Sequence, residues 1–144
     1  MSNADQLELN HLHHDHATLA TALDELERNL DRLEVHGDFD QLDAIAHLIQ
    51  HEVTQHFPRE EALVATVLGE DSRLLAHIAR DHDLLGLEAR DFFELAEKIR
   101  AGLLVDRGEV VEAAAALLQG LRRHLLMEEG ELVPALRARV EADA

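Results

Sequence analysis

Residues His56 to Leu68 read HFPREEALVATVL, and residues His124 to Leu136 read HLLMEEGELVPAL. Both follow H-x3-E-E-x6-L, with mostly apolar residues in the gaps. At about 100° per residue, positions four apart on a helix lie about 40° from one another, one turn along the same face. His56 and Glu60 therefore share a face, as do His124 and Glu128. What surrounds them decides whether that face is wet or dry.

Outward from these stretches the chain carries four apolar stripes in steps of three and four, the spacing of amphipathic helices. The first holds Leu12, His16, Leu19, Leu23, Leu26, Leu30 and Leu33. The second holds Leu42, Ile45, Ile49, Glu52, His56, Glu60, Leu63 and Val67. Leu75, Ile78, His82, Leu85, Ala89, Phe92, Ala96 and Ile99 make the third; Val110, Ala114, Leu117, Leu121, His124, Glu128 and Leu132 make the fourth. HGDFD separates the first two, with Gly37 as a stop and Asp38 as a cap; GEDS (Gly69 to Ser72) and DRGE (Asp106 to Glu109) supply the other breaks. Four long helices joined by short connections predict an all-α, up-down-up-down four-helix bundle, a single domain over residues 1–144.

The bundle is written twice. Asp15-His16-x-x-Leu19 opens the first helix pair and Asp81-His82-x-x-Leu85 the second; 66 residues separate His16 from His82, and 68 separate His56 from His124. Two similar helical hairpins related by an approximate two-fold axis follow. His16 lies 21 residues before Gly37 and His56 19 after it, so the two sit at one depth. With a turn near Val105, His82 and His124 fall 23 before and 19 after. Four histidines and two carboxylates thus meet in one layer of the core.

Burying such groups uncompensated costs several kcal/mol each. Metal ions are the economical compensation, and imidazole and carboxylate are suitable ligands. Two ions sharing two bridging carboxylates accommodate all six groups: two histidines, two bridging oxygens and an oxo or hydroxo bridge for each, with one octahedral position left open. Iron and manganese suit the same donors.

Composition narrows the remaining possibilities. The 144 residues are 47% hydrophobic but only 3% aromatic, with two prolines and seven glycines, which favours helices. A formal net charge of -17 argues against nucleic acid and anionic membranes as partners. The chain has no cysteine, tyrosine or tryptophan, so thiolate ligands, disulfides and tyrosyl donor chemistry are excluded and any turnover belongs to the metals. MSNADQLELN is no signal peptide, no apolar run approaches the roughly 20 residues of a membrane span, and the expectation is a cytoplasmic protein.

The series His16, His56-x3-Glu60, His82, His124-x3-Glu128, with its DHxxL and HxxxEE phrases, resembles the hemerythrin-like, or HHE cation-binding, domain over nearly the whole chain. The resemblance implies a bundle holding two iron ions in a non-haem, usually oxo-bridged centre. Such centres bind O2; some members react with nitric oxide or peroxide, and others sense or handle iron. By motif the ligands are His16, His56, Glu60, His82, His124 and Glu128, and the partner is a small diatomic or peroxide. No redox or signalling partner is named by the residues.

Three points stay open. An oxygen carrier would show HxxxH on the third helix, but Ile78 stands four before His82, and His77 lies five away, about 140° around the helix. His77 is either an extra ligand brought in by a local bulge or a surface residue repeating His11. Pro58 predicts a kink that lets Glu61 replace Glu60, and Glu129 competes with Glu128 by adjacency. Glu52, opposite Gly120 in the other repeat, is a partner to a ligand histidine, an extra ligand, or, most simply, a wet position beside the seam. His13, His14, His36, His47 and His51 read as solvent-facing.

Overall fold

The computed structural model describes residues 3–37 and 39–142. Four long rods form an all-helical bundle, and no strand occurs among the described residues. The first is α1 (Asn3–Arg28), followed by a 3-10 turn (Leu30–Arg32). The second runs unbroken through α2 (Asp40–His51), a π turn (Glu52–His56) and α3 (Phe57–Leu68). The third is α4 (Arg73–Arg100); the fourth joins α5 (Arg107–Met127), a π turn (Glu128–Leu132) and α6 (Val133–Ala142). No described helix is long and apolar enough to cross a membrane.

The connections use the expected chemistry with shifted boundaries. Gly69, with φ of 97°, ends the second rod in a conformation only glycine adopts freely. The Ser72 hydroxyl then accepts the Leu75 N–H at 3.4 Å to start α4. DRGE opens a helix rather than breaking one: α4 already ends at Arg100, and the Asp106 carboxylate accepts the Gly108 N–H at 2.8 Å. The cap expected at Asp38 lies outside the described residues. The first stripe ran to Leu33, yet α1 stops at Arg28. Beyond that end the Arg107 guanidinium donates to the Leu33 carbonyl at 2.9 Å and to the Asp31 carbonyl, satisfying acceptors that have no partner within a helix.

The expected kink at Pro58 is replaced by a π turn. Proline has no N–H and clashes with the carbonyl four residues back, and widening the preceding turn relieves the clash. The Phe57 N–H reaches the Glu52 carbonyl, five residues back, and Pro58 falls in the first turn of the resumed helix, where no donor is needed. Pro134 bears the same relation to its own π turn, two residues past the end, and there the Val133 N–H reaches the Glu128 carbonyl. The α spacing from His56 to Glu60 therefore survives.

Two apolar clusters fill the interior. The larger gathers Leu19 and Leu23 of α1, Ile45 and Ile49 of α2, Leu85 through Ile99 of α4 and Val110 through Leu125 of α5. The smaller holds Leu9, Leu12, Leu63, Val64, Val67, Ile78 and the inner face of α6. Between them lies one buried polar layer. Because Arg107 ties the end of α1 to the start of α5, Arg107→Ala is expected to lower stability by about 1–2 kcal/mol, the value of two charge-assisted hydrogen bonds discounted for exposure. Thermal unfolding of the metal-free chain checks this, and an unchanged midpoint would contradict it.

Candidate metal centre

Each rod supplies the layer with one histidine where its stripe predicts leucine. His16, His56, His82 and His124 are all buried, as are Glu60 and Glu128, at 1% and 2% exposure. The four imidazoles turn Nε2 inward. His16 Nε2 is 3.0 Å from Glu60 Oε2 and 3.4 Å from Glu128 Oε1; His56 Nε2 is 3.2 Å from Glu60 Oε2. On the other side His82 Nε2 is 3.1 Å from Glu60 Oε1, and His124 Nε2 is 3.0 Å from Glu128 Oε2. Each carboxylate thus sends one oxygen to each histidine pair.

Two groups of donors, His16-His56-Glu60-Glu128 and Glu60-His82-His124-Glu128, bring their atoms within 4.8 Å of one another. The residues fit metal ions on three counts. Glu60 Oε1 and Glu128 Oε2 are buried with no hydrogen-bond partner, a costly state that a cation cures. His82 and His124 bring their Nε2 atoms 3.0 Å apart, and two lone pairs so close repel unless something positive lies between them. Donors at right angles about 2.1 Å from a common ion also lie about 3.0 Å apart, which matches the observed spacings.

The outward Nδ1 atoms explain the rest of the duplicated motif. Glu129 meets His16 Nδ1 at 3.2 Å, Glu61 meets His82 Nδ1 at 2.8 Å, and Asp81 meets His124 Nδ1 at 3.1 Å. Asp15 faces His56 Nδ1 at 3.7 Å, an ion-pair rather than a hydrogen-bond separation. An imidazole whose Nδ1–H donates to a carboxylate presents an unprotonated Nε2 inward, the form a metal takes. The four links run in a closed ring: Asp15 on the first rod to the second, Glu61 to the third, Asp81 to the fourth, and Glu129 back to the first. Sequence reading missed these four acids as a set. The signal was present in the repeated DH and EE pairs, but each acid serves a histidine on another rod, which periodicity along one helix does not reveal.

The open alternatives are resolved in position. Glu60 and Glu128 enter the layer, whereas the partly exposed Glu61 and Glu129 stand behind histidines. His77 stays outside, 55% exposed at its side chain, and meets only Asp81 Oδ2 at 3.4 Å. No bulge in α4 brings it in. His13, His14, His36, His47 and His51 are exposed, although His13 shares Glu129 at 3.3 Å. The simplest reading of Glu52 fails. It is not wet but 5% exposed, with Oε2 buried and unpartnered.

Electrostatics distinguish the six groups. Burial opposes ionisation of Glu60, but its contacts with Glu128, His16, His56 and His82 outweigh it and hold that carboxyl well below the usual range. Burial and the neighbouring Glu60 push Glu128 the other way. Burial disfavours charge on His56, yet Glu60, Glu52 and Asp15 raise it overall. His124 is lowered by burial and by His82.

Phe57 closes one side, its ring stacked on His82 with centroids 3.8 Å apart and planes 3° from parallel. Its counterpart 68 residues on is Leu125, also buried. A small cavity reaches the layer at His56 and Glu60, and the paired Arg59 and Glu8 line it with Leu12, Asp15 and Leu63.

Comparison with curated proteins and with solved structures gives no significant match. The profile of the Hemerythrin HHE cation binding domain matches residues 7–136, a segment that contains all four rods' contributions to the polar layer. That span covers most of the chain, and at its centre lie two buried donor groups able to hold a metal ion; the chain belongs to the hemerythrin HHE cation-binding domain family.

Proposed function

We propose that the protein is a non-haem di-iron protein that binds or reacts with O2, nitric oxide or peroxide at a carboxylate-bridged centre. The observation that carries this reading is the division of Glu60 and Glu128, each offering one oxygen to each pair of histidines. His16 and His56 would hold one ion and His82 and His124 the other. When bound, such a pair supplies redox-active open positions for a small ligand.

The chain's own residues do the rest. The outer acids fix tautomer and ring orientation at the histidines. Phe57 and Leu125, with the leucines of both apolar clusters, keep bulk water out of the layer. No tyrosine, cysteine or tryptophan offers a competing redox group. Manganese suits the donors as well as iron, and a chain that binds metal without answering to O2, nitric oxide or peroxide would sense or handle iron instead.

Metal analysis is expected to give about two irons per chain, on the two-metal geometry argued above. The absorption spectrum should respond to O2, nitric oxide or peroxide. His82→Ala should lose metal while His47→Ala, changed on the exposed face of α2, keeps it; equal loss from both would sink the assignment. In the outer ring, Glu61→Gln and Asp81→Asn are expected to weaken iron binding by about 10–100-fold without unfolding the metal-free chain. Competition with a chelator measures this, and unaltered affinity would leave the ring without a metal-directed role. Loading should also release protons, because burial and the neighbouring Glu60 raise the Glu128 carboxyl well above its ordinary range and a metal takes the ionised form. Affinity then falls as pH falls. Calorimetry in buffers of different ionisation enthalpy detects the release, and buffer-independent heats would argue against it.

A further inference from the structure

The supports behind the four imidazoles are graded. Glu61 meets His82 Nδ1 at 2.8 Å and serves no other side chain among the described residues. Asp81 meets His124 Nδ1 at 3.1 Å, with the exposed His77 more distant at 3.4 Å. Glu129 meets His16 Nδ1 at 3.2 Å and is drawn almost equally to the exposed His13, at 3.3 Å. Asp15 stops 3.7 Å from His56 Nδ1, beyond hydrogen-bond reach. The two shortest links thus back His82 and His124, and the longest backs His56.

Packing follows the same order. Phe57 stacks on the His82 ring at 3.8 Å and meets the His124 ring edge-on at 5.9 Å. The rings of His16 and His56 make only edge contacts, with each other at 5.3 Å and from His56 to Phe57 at 6.3 Å. Leu125, at the place of Phe57 in the other repeat, has no ring to stack. Donors locked in one rotamer by packing and outer hydrogen bonds hold an ion better than donors that must be ordered when it binds. Access differs as well. The small cavity reaches the layer at His56 and Glu60, whereas the groove over Gly120 touches His124 alongside Asp81 and neither carboxylate of the layer.

We propose that the centre holds its two ions unequally: the ion between His82 and His124 is filled first and lost last, and the ion between His16 and His56 is the exchangeable one. This rests on the di-iron reading above and adds an order of occupancy to it. The repeats contribute matching donors, His16, His56 and Glu60 against His82, His124 and Glu128, so the ranking comes from what stands behind the donors. Phe57 and Glu61 flank Glu60 on the second rod, yet both support the ion of the opposite hairpin. The fourth rod does not repay this equally, because Leu125 replaces Phe57 and Glu129 is shared with His13, whose own counterpart 66 residues on is Ala79. Glu61 and His13 are positioning residues with opposite effects on the gap between the two ions.

Iron-loaded wild type would be titrated with a chelator at equilibrium, and partly stripped crystals would be measured at the iron absorption edge to locate the ion that remains. One iron per chain is expected to leave first, with the second held at least about tenfold more tightly, the lower end of what such outer supports contribute. The remaining anomalous density should lie between His82 and His124. Glu61→Gln weakens the tighter ion and should close the gap or invert it. His13→Ala leaves Glu129 to His16 alone and should tighten the weaker ion by about threefold, the value of part of one hydrogen bond. Loss of both irons in one step, or density left between His16 and His56, would overturn the proposal and leave the di-iron reading intact. A gap that Glu61→Gln does not move would overturn it too, since the ranking would then have another source. Wild type that never holds two irons would overturn the di-iron reading and this order with it.

Discussion

Everything in this fold is arranged around a layer that the hydrophobic effect alone would forbid. Two carboxyls and four imidazoles sit between two apolar clusters, where each would cost several kcal/mol if left uncompensated. The bundle does not dilute that cost with water or scatter the groups to its surface. It concentrates them, so that each oxygen of Glu60 and Glu128 faces a histidine nitrogen. Such a layer suits cations, which its two donor groups are placed to hold and the family's description names.

The same residues that burden the core also specify it. Leucines along a seam tolerate small slips in register, whereas the six polar groups meet only if all four rods stop at the right depth. The devices that set depth are local. Gly69 ends one rod, Ser72 and Asp106 start others, and Arg107 holds the segment that follows α1 through the Asp31 and Leu33 carbonyls. The π turns are part of this system, since they absorb Pro58 and Pro134 without bending the ligand-bearing turns out of the layer.

Much of this was legible in the chain. His16, His56, His82 and His124 each interrupt an apolar stripe, and a stripe's period tells which way a side chain faces. The duplication then paired the interruptions across the bundle. What the sequence did not disclose depends on relations between rods or on backbone detail. Adjacent glutamates look alike in a helix, and only the observed turn separates Glu60 from Glu61. Asp15 and Asp81 look like companions of the histidines beside them, yet they serve His56 and His124 on neighbouring rods. Glu52 was legible as a seam residue, and it is buried there. The end of α1 was not legible, and the Arg107 contacts to the segment that follows it come from more than seventy residues downstream.

The ring of outer acids has one more implication. Two of its links, Asp15 to His56 and Asp81 to His124, join rods within a hairpin, and the other two, Glu61 to His82 and Glu129 to His16, join one hairpin to the other. Neither hairpin can complete the circuit by itself, but each carries both the acids and the imidazoles needed to complete it with a twin. A half-length chain made of one hairpin would therefore recover all four links by self-association, and the present molecule has the form of such a pair fused end to end. The two halves are not identical: Phe57 corresponds to Leu125 and Glu52 to Gly120 in the other repeat.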